Sequence, residues 1–288
     1  MNLVEYIVNC VKVLRQLVNN CELRWYHVIT SLYGCDDFLF GKGENMYEIF
    51  KNYVSNYDLN NVKIKHKYDH TLRVVEAAKK LSDLLNLSEE DKYLAEVIAL
   101  LHDTGRFEQL KIYDTFMDKD SIDHADFAVK LLFDDNLIEL FDIEDKYYPI
   151  IRKAIFNHNK LEIDAGLTEQ ELFHAKLIRD ADKVDILAGL PLEYRIGFNE
   201  VDEEISPAIM EQIRNEQTVS FGLIQNPNDK LALSFAFVFN IYFDETINII
   251  YENKYYEKYF ESLEYKEYFR EVFDIVTNYI EKRMNLEG

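Results

Sequence analysis

An almost wholly apolar run, Tyr93-Leu94-Ala95-Glu96-Val97-Ile98-Ala99-Leu100-Leu101, ends directly in His102-Asp103-Thr104-Gly105-Arg106. The run predicts a buried helix over 89–102. Ser88 is its N-cap, with Asp91 three residues on as the acidic half of a capping box. A helix this apolar belongs in a core, yet its C-terminal end delivers an imidazole and a carboxylate side by side. Burying such a pair is costly unless something satisfies it. A divalent metal does so at least cost, because imidazole and carboxylate are ordinary ligands of zinc, iron and manganese. Taken alone, a His-Asp pair at a capped helix end is more often a surface feature, so the rest of the chain decides.

The helical reading extends to the whole chain. Glycine (9) and proline (4) are scarce among 288 residues, which disfavours a turn-rich all-β fold, and 48% hydrophobic residues make the chain globular. No apolar run approaches the roughly 20 residues of a membrane span. The start, Met1-Asn2-Leu3-Val4-Glu5-Tyr6, lacks the basic residues and long apolar stretch of a signal peptide. Cys10, Cys21 and Cys35 form no C-x-x-C pair, and an odd, sparse count suits a reducing cytoplasm. A cytoplasmic location without membrane association is therefore expected. Net charge is −21, from 53 acidic and 32 basic residues, which argues against binding a nucleic-acid duplex or an anionic surface. An anionic substrate would need local cations or metals to overcome that field. Tyrosine (20) and phenylalanine (19) are spread without repeat and read as packing.

Residues 1–33 read as helical, with a second helix over 22–33 carrying Trp25 and His27, then a loop from Gly34 to Gly43 and a short helix over 45–56. These read as an added layer or an oligomer contact. A helix over 66–86 carries His70 on a broad apolar face. After Arg106 an acidic loop leads to a helix starting at Ser121, with Asp123 and His124 in its first turn. A charged His is disfavoured at a helix N-terminus, whereas a neutral, ligating imidazole fits there. A helix over 147–158 ends at His158, between Asn157 and Asn159. Thr168 and Glu171 make a capping box for a helix running to Arg179-Asp180-Ala181-Asp182-Lys183-Val184-Asp185-Ile186-Leu187, in which at least one acid between apolar neighbours points inward with a partner. After Pro191 the chain is again helical, with Ser206-Pro207 as a capped start and helices over 208–223, 229–250 and 255–284. No linker or repeat interrupts it, so one all-helical domain is expected: a core over 60–190 with helical additions over 1–59 and 191–288.

Each His has a bland explanation singly. In order, His70, His102-Asp103 and Asp182 resemble the signature of the HD-domain metal-dependent phosphohydrolase superfamily. Leu-Leu-His-Asp-Thr-Gly-Arg is similar to its central motif, and Arg-Asp-Ala-Asp-Lys-Val-Asp to its late one. His124 and His158 fall where the two-metal branches carry extra histidines. The resemblance covers about 60–190 and implies an all-α fold whose ligands converge from separate helices. It implies a first metal site of His70, His102, Asp103 and Asp182, with Asp180 as the fallback for Asp182. The second site would be Asp103 as a bridge with His124 and His158. Divalent ions, two of them, are implied, with manganese, iron, magnesium, zinc and nickel not distinguished.

Two cations sharing a carboxylate sit about 3.5–4 Å apart and bring the pKa of a bridging water towards neutrality. Phosphoryl transfer then needs positioning and charge stabilisation. Arg106 is placed to clamp a phosphate, and Lys183 to do likewise. With Asp103 they are the expected catalytic residues, and the expected partner is a small phosphate-containing anion such as a nucleotide. No Gly-Tyr-Pro or His-His follows His158, which weakens a cyclic di-GMP phosphodiesterase reading. A di-iron oxygenase on the same scaffold and a non-catalytic nucleotide sensor are the alternatives, and a homo-oligomer is compatible with either.

Overall fold

The computed structural model describes residues 44–197 and 200–284. The elements expected over 1–43, with Trp25, His27 and the three cysteines, lie outside these residues. Among the described residues there is no strand, and no helix is long and apolar enough to cross a membrane. The all-helical expectation holds.

Helices α1 (Glu44–Val54), α2 (Val62–Leu84) and α3 (Glu89–Leu101) lead into α4 (Thr104–Tyr113) and α5 (His124–Val129), which runs on as a π-turn at Lys130–Asp134. Then come α6 (Tyr148–Asn157) and the long α7 (Glu169–Gly197). Val75, Ala78 and Leu81 of α2, Leu94, Ile98 and Leu101 of α3, Ile151 and Ile155 of α6, and Leu177, Ile178 and Ala181 of α7 close one apolar core. A second core forms from Leu187 and Leu190 of α7 with α8 (Pro207–Arg214), α9 (Pro227–Ala236), α10 (Asp244–Glu252), α11 (Tyr255–Ser262) and α12 (Lys266–Arg283). One face of α7 thus passes from the first core to the second, and Asp182, Lys183 and Asp185 sit at the junction.

Local chemistry sets most boundaries. Asn61 caps α2 by accepting from Lys63 N, so this helix starts earlier than its apolar face suggests. Ser88 accepts from Asp91 N at 3.1 Å, and Thr168 and Glu171 exchange hydrogen bonds at the start of α7, as expected. Helix α5 begins three residues later than expected. Asp123, not Ser121, is its cap, accepting from Ala125 N and Asp126 N at 2.9 and 3.1 Å, while Ser121 Oγ turns back to Met117 O. Helix α4 has too few apolar positions to announce itself, burying mainly Phe107 and Leu110.

The C-terminal helices are shorter than periodicity predicts, because carboxylates distant in sequence capture backbone that would otherwise continue the helix. Asp180 accepts from Tyr242 N, Phe243 N and Thr246 Oγ1, at 2.8–3.1 Å, and splits the expected 229–250 helix into α9 and α10. Glu200 accepts from Glu264 N and Tyr265 N at 2.8 Å and divides α11 from α12. The helix expected over 208–223 stops at Arg214. Ser206 sits at its cap position but donates to Asp229 at 2.7 Å instead of capping it. Conversely, α7 continues through Pro191 rather than breaking there.

His174 on α7 shows how tightly the first core is tied. Its side chain is wholly buried, Nε2 lies 3.2 Å from Asp91 Oδ1, and Nδ1 has no hydrogen-bond partner. Burial pushes its pKa below the ordinary imidazole value, against the pull of Asp91. The unfolded chain therefore binds this proton more readily than the folded one. The stability owed to neutral His174 is intact above the ordinary imidazole pKa, about 6.5, and is lost as pH falls below it. In urea unfolding between pH 7.5 and 5, His174→Gln is expected to remove a slope of up to about 1.4 kcal/mol per pH unit. An unchanged slope would contradict this.

Candidate metal centre

Four imidazoles converge on one carboxylate. His70 comes from α2, His102 from the C-terminus of α3, His124 from the first position of α5, and His158 from the C-cap of α6. All four are buried, as is Asp103. In each ring Nδ1 is already committed. His102 Nδ1 lies 2.7 Å from Ala99 O and His158 Nδ1 2.6 Å from Ile155 O. His70 Nδ1 lies 2.7 Å from Asp185 Oδ2 and His124 Nδ1 2.5 Å from Asp118 Oδ2. Carbonyl and carboxylate oxygens accept, so each Nδ1 donates, and wherever the ring is neutral its Nε2 presents a bare lone pair.

Those lone pairs face Asp103. Its Oδ2 lies 3.6 Å from both His70 Nε2 and His102 Nε2, while its Oδ1 lies 3.6 Å from His124 Nε2 and 3.8 Å from His158 Nε2. Asp182 Oδ1 approaches the first pair, 3.1 Å from His70 Nε2 and 3.9 Å from His102 Nε2. The second pair is left with His124 Nε2 and His158 Nε2 3.0 Å apart. Two lone pairs at that distance repel unless a proton or a cation lies between them. His102 Nε2 is buried with no hydrogen-bond partner at all. The donor set fits metal ions: His70, His102 and Asp103 form one group able to hold one, and Asp103, His124 and His158 another, with ligand atoms within 4.8 Å of one another. The anchoring of each Nδ1 is what metal-binding histidines require to fix tautomer and direction.

The electrostatics agree. Burial pushes His102 down to about 4, and burial with the nearby Arg106 does the same to His124, so both rings are neutral. His70 differs: burial and Lys67 oppose its charging, but hydrogen bonds to Asp182 and Asp185 outweigh them and raise its pKa, so a cation at this end takes the place of a proton on Nε2. Burial alone would raise Asp103, yet Lys67 and the imidazoles hold it well below the usual carboxylate range.

The Arg-Asp-Ala-Asp-Lys-Val-Asp segment divides its labour. Arg179 is buried and donates to Asn157 O (2.7 Å), Lys160 O (2.5 Å), Leu161 O (3.2 Å) and Asn240 Oδ1 (2.9 Å), fixing the turn that follows His158. Asp180 is spent on α10, so Asp182 is the acid that reaches the cluster. Lys183 is half-buried, its ammonium 3.4 Å from Asn240 Oδ1, with a pKa pushed down to about 8 by burial and then by Arg179. Asp185 accepts from His70 and from Arg73, whose Nε and Nη2 lie 2.7 and 3.1 Å away.

Residues that sequence reasoning passed over complete the centre. Lys67 Nζ lies 2.9 Å from Asp103 Oδ2, one turn before His70 on the same face of α2. Asp118 holds His124 and also accepts from Arg106 Nη1 at 2.8 Å. Arg106 itself donates through Nη1 to Gln109 and to Phe116 O as well, leaving Nε 3.7 Å from Asp103 Oδ1. Gly105 lies where α4 meets α5: a Cβ there would sit 2.7 Å from Ala128 N and press on His124 O. The glycine of the central motif thus lets the helix bearing His124 approach.

The family model described as HD domain matches residues 68–187. No curated protein and no solved structure matches the chain. The matched segment contains all six residues of the His/Asp cluster, helices α3 to α6, and the parts of α2 and α7 that carry His70 and Asp182. Residues 68–187 of this chain are therefore an HD domain, all-helical, with buried His and Asp groups able to hold divalent metal.

Proposed function

We propose that the chain is a metal-dependent phosphohydrolase or phosphodiesterase acting on a nucleotide or a related phosphate ester. Two cations are held, one by His70, His102, Asp103 and Asp182, the other by Asp103, His124 and His158. The observation that supports this best is the division of the Asp103 carboxylate between two pairs of imidazole Nε2 atoms. Bound there, divalent ions supply Lewis acidity towards phosphoryl oxygens and a water acidified towards neutral pH.

The chain's own groups do the rest. Lys67 beside Asp103 sets a cation at the cluster in a chain of net charge −21, which favours an anionic substrate, whereas the Lys183 ammonium is turned to Arg179 O and Asn240 Oδ1, 3.4 Å from each. Arg106 acts first as a positioning residue, since its Nη1 is committed to three acceptors. Asp118, Asp185, Ala99 O and Ile155 O hold the four rings in the ligating orientation.

Protein purified without chelator is expected to carry two ions per chain and, with Mn²⁺ or Fe²⁺, to release phosphate or a nucleotide from a panel of nucleotides and phosphodiesters. Consumption of a substrate only with O₂, or inertness towards the panel with every divalent ion tried, would overturn the reading. Asp185→Asn keeps the shape of the His70 support but removes its charge. It is expected to weaken Mn²⁺ binding about 10–100-fold by calorimetry, with helical content unchanged.

A further inference from the structure

The stretch 114–121 between α4 and α5 holds an aromatic ring over the centre's cations. The Phe116 centroid lies 5.9 Å from Lys67 Nζ and 5.8 Å from Arg106 Cζ. Those two cations bear on the two oxygens of Asp103, at 2.9 and 3.7 Å. The ring is half-buried against the first core, and Met117 beside it is 37% exposed. Its placement is built in. Phe116 O accepts from Arg106 Nη1 at 2.7 Å, and two residues on Asp118 accepts from Arg106, Gln109 and His124 at 2.8, 2.9 and 2.5 Å.

A core phenylalanine needs no such arrangement. The backbone that carries the ring is fastened to the same arginine and the same imidazole-supporting aspartate that organise the centre. Cation–π attraction fixes the ring relative to Lys67 and Arg106. A phosphate drawn to those cations therefore arrives beside a flat hydrocarbon face. A substrate whose other end is a flat heteroaromatic ring gains by stacking there, and one with an aliphatic or sugar end gains less.

We infer that Phe116 is a specificity-determining residue that selects nucleoside phosphates over phosphate esters lacking a base. The inference rests on the phosphohydrolase reading, and its test separates the two. The full chain loaded with Mn²⁺ is titrated calorimetrically with a nucleoside 5′-phosphonate and with the matching ribose 5-phosphonate, neither of which can be hydrolysed. Wild type is expected to prefer the nucleoside compound about tenfold, within the range that base–aromatic stacking provides. Phe116→Ala abolishes the preference while leaving the ribose phosphonate within about twofold, and Phe116→Trp restores it. Equal binding of both compounds by wild type, or an equal loss of both in Phe116→Ala, overturns the inference alone. Wild type that binds neither overturns the phosphate reading of the centre and the inference with it.

Discussion

Asp103→Asn is expected to lower kcat/KM by about 10³-fold or more and to empty both metal sites. The asparagine keeps the volume, so the all-helical fold and the far-ultraviolet spectrum should be unchanged. What disappears is the one charge that faces all four imidazoles, its oxygens 3.6–3.8 Å from His70, His102, His124 and His158. The amide also places an N–H₂ where one pair of Nε2 atoms needs a ligand oxygen. Lys67, its side chain 17% exposed, loses the carboxylate 2.9 Å away and brings an uncompensated positive charge to the place a cation would take. Metal Lewis acidity supplies several kcal/mol of barrier reduction, and each 1.36 kcal/mol is tenfold in rate, which sets the expected scale. Metal analysis and steady-state kinetics on the same preparation check it. Retention of two ions, or turnover within tenfold of wild type, would remove Asp103 from the bridging position.

The sequence shows most clearly what is periodic or carries its own chemistry. The apolar faces of α2, α3 and α6 and the order His70, His102-Asp103, Asp182 belong to this class, because a burial pattern or a ligating side chain is visible residue by residue. What it conceals are interactions whose second partner is far along the chain. The breaks between α9 and α10 and between α11 and α12 depend on Asp180 and Glu200, which lie more than sixty residues from the backbone they capture. Arg106 follows the motif and so resembles a free phosphate clamp, but its acceptors at Phe116 and Asp118 lie across a loop of no periodicity. Lys67 is flanked by His66 and Tyr68 in a lysine-rich stretch that reads as surface, although its spacing of three from His70 places it on the inward face. Asp185 shows the same lesson from the other side. An acid three residues after Asp182 shares its face, and all three acids of that segment turn out to have partners.

Gly105→Ala is the variant that tells the two halves of the centre apart. In an isolated helix the change would help, since alanine is better than glycine by about 1 kcal/mol. Here the added methyl would lie 2.7 Å from Ala128 N and 3.2 Å from Ala128 Cα, and would press on His124 O, all of it backbone of α5. A backbone cannot rotate out of the way as a side chain does, so α5 must shift. Overpacking of this kind costs about 1–3 kcal/mol, which corresponds to a melting temperature lower by about 3–10 °C in a chain of this size. The shift carries His124 with it and disturbs its contacts with Asp118 and with His158, 3.0 Å away. His70, His102 and Asp182 stand on α2, α3 and α7 and do not depend on that contact. The expected result is therefore one ion per chain instead of two, held at the His70 end, with hydrolysis reduced by at least about tenfold. Asp103→Asn should abolish both ions, so the pair of variants separates a shared ligand from a one-sided one. A Gly105→Ala protein that keeps both ions and its melting temperature would mean that α5 is not held where the close approach at Gly105 puts it.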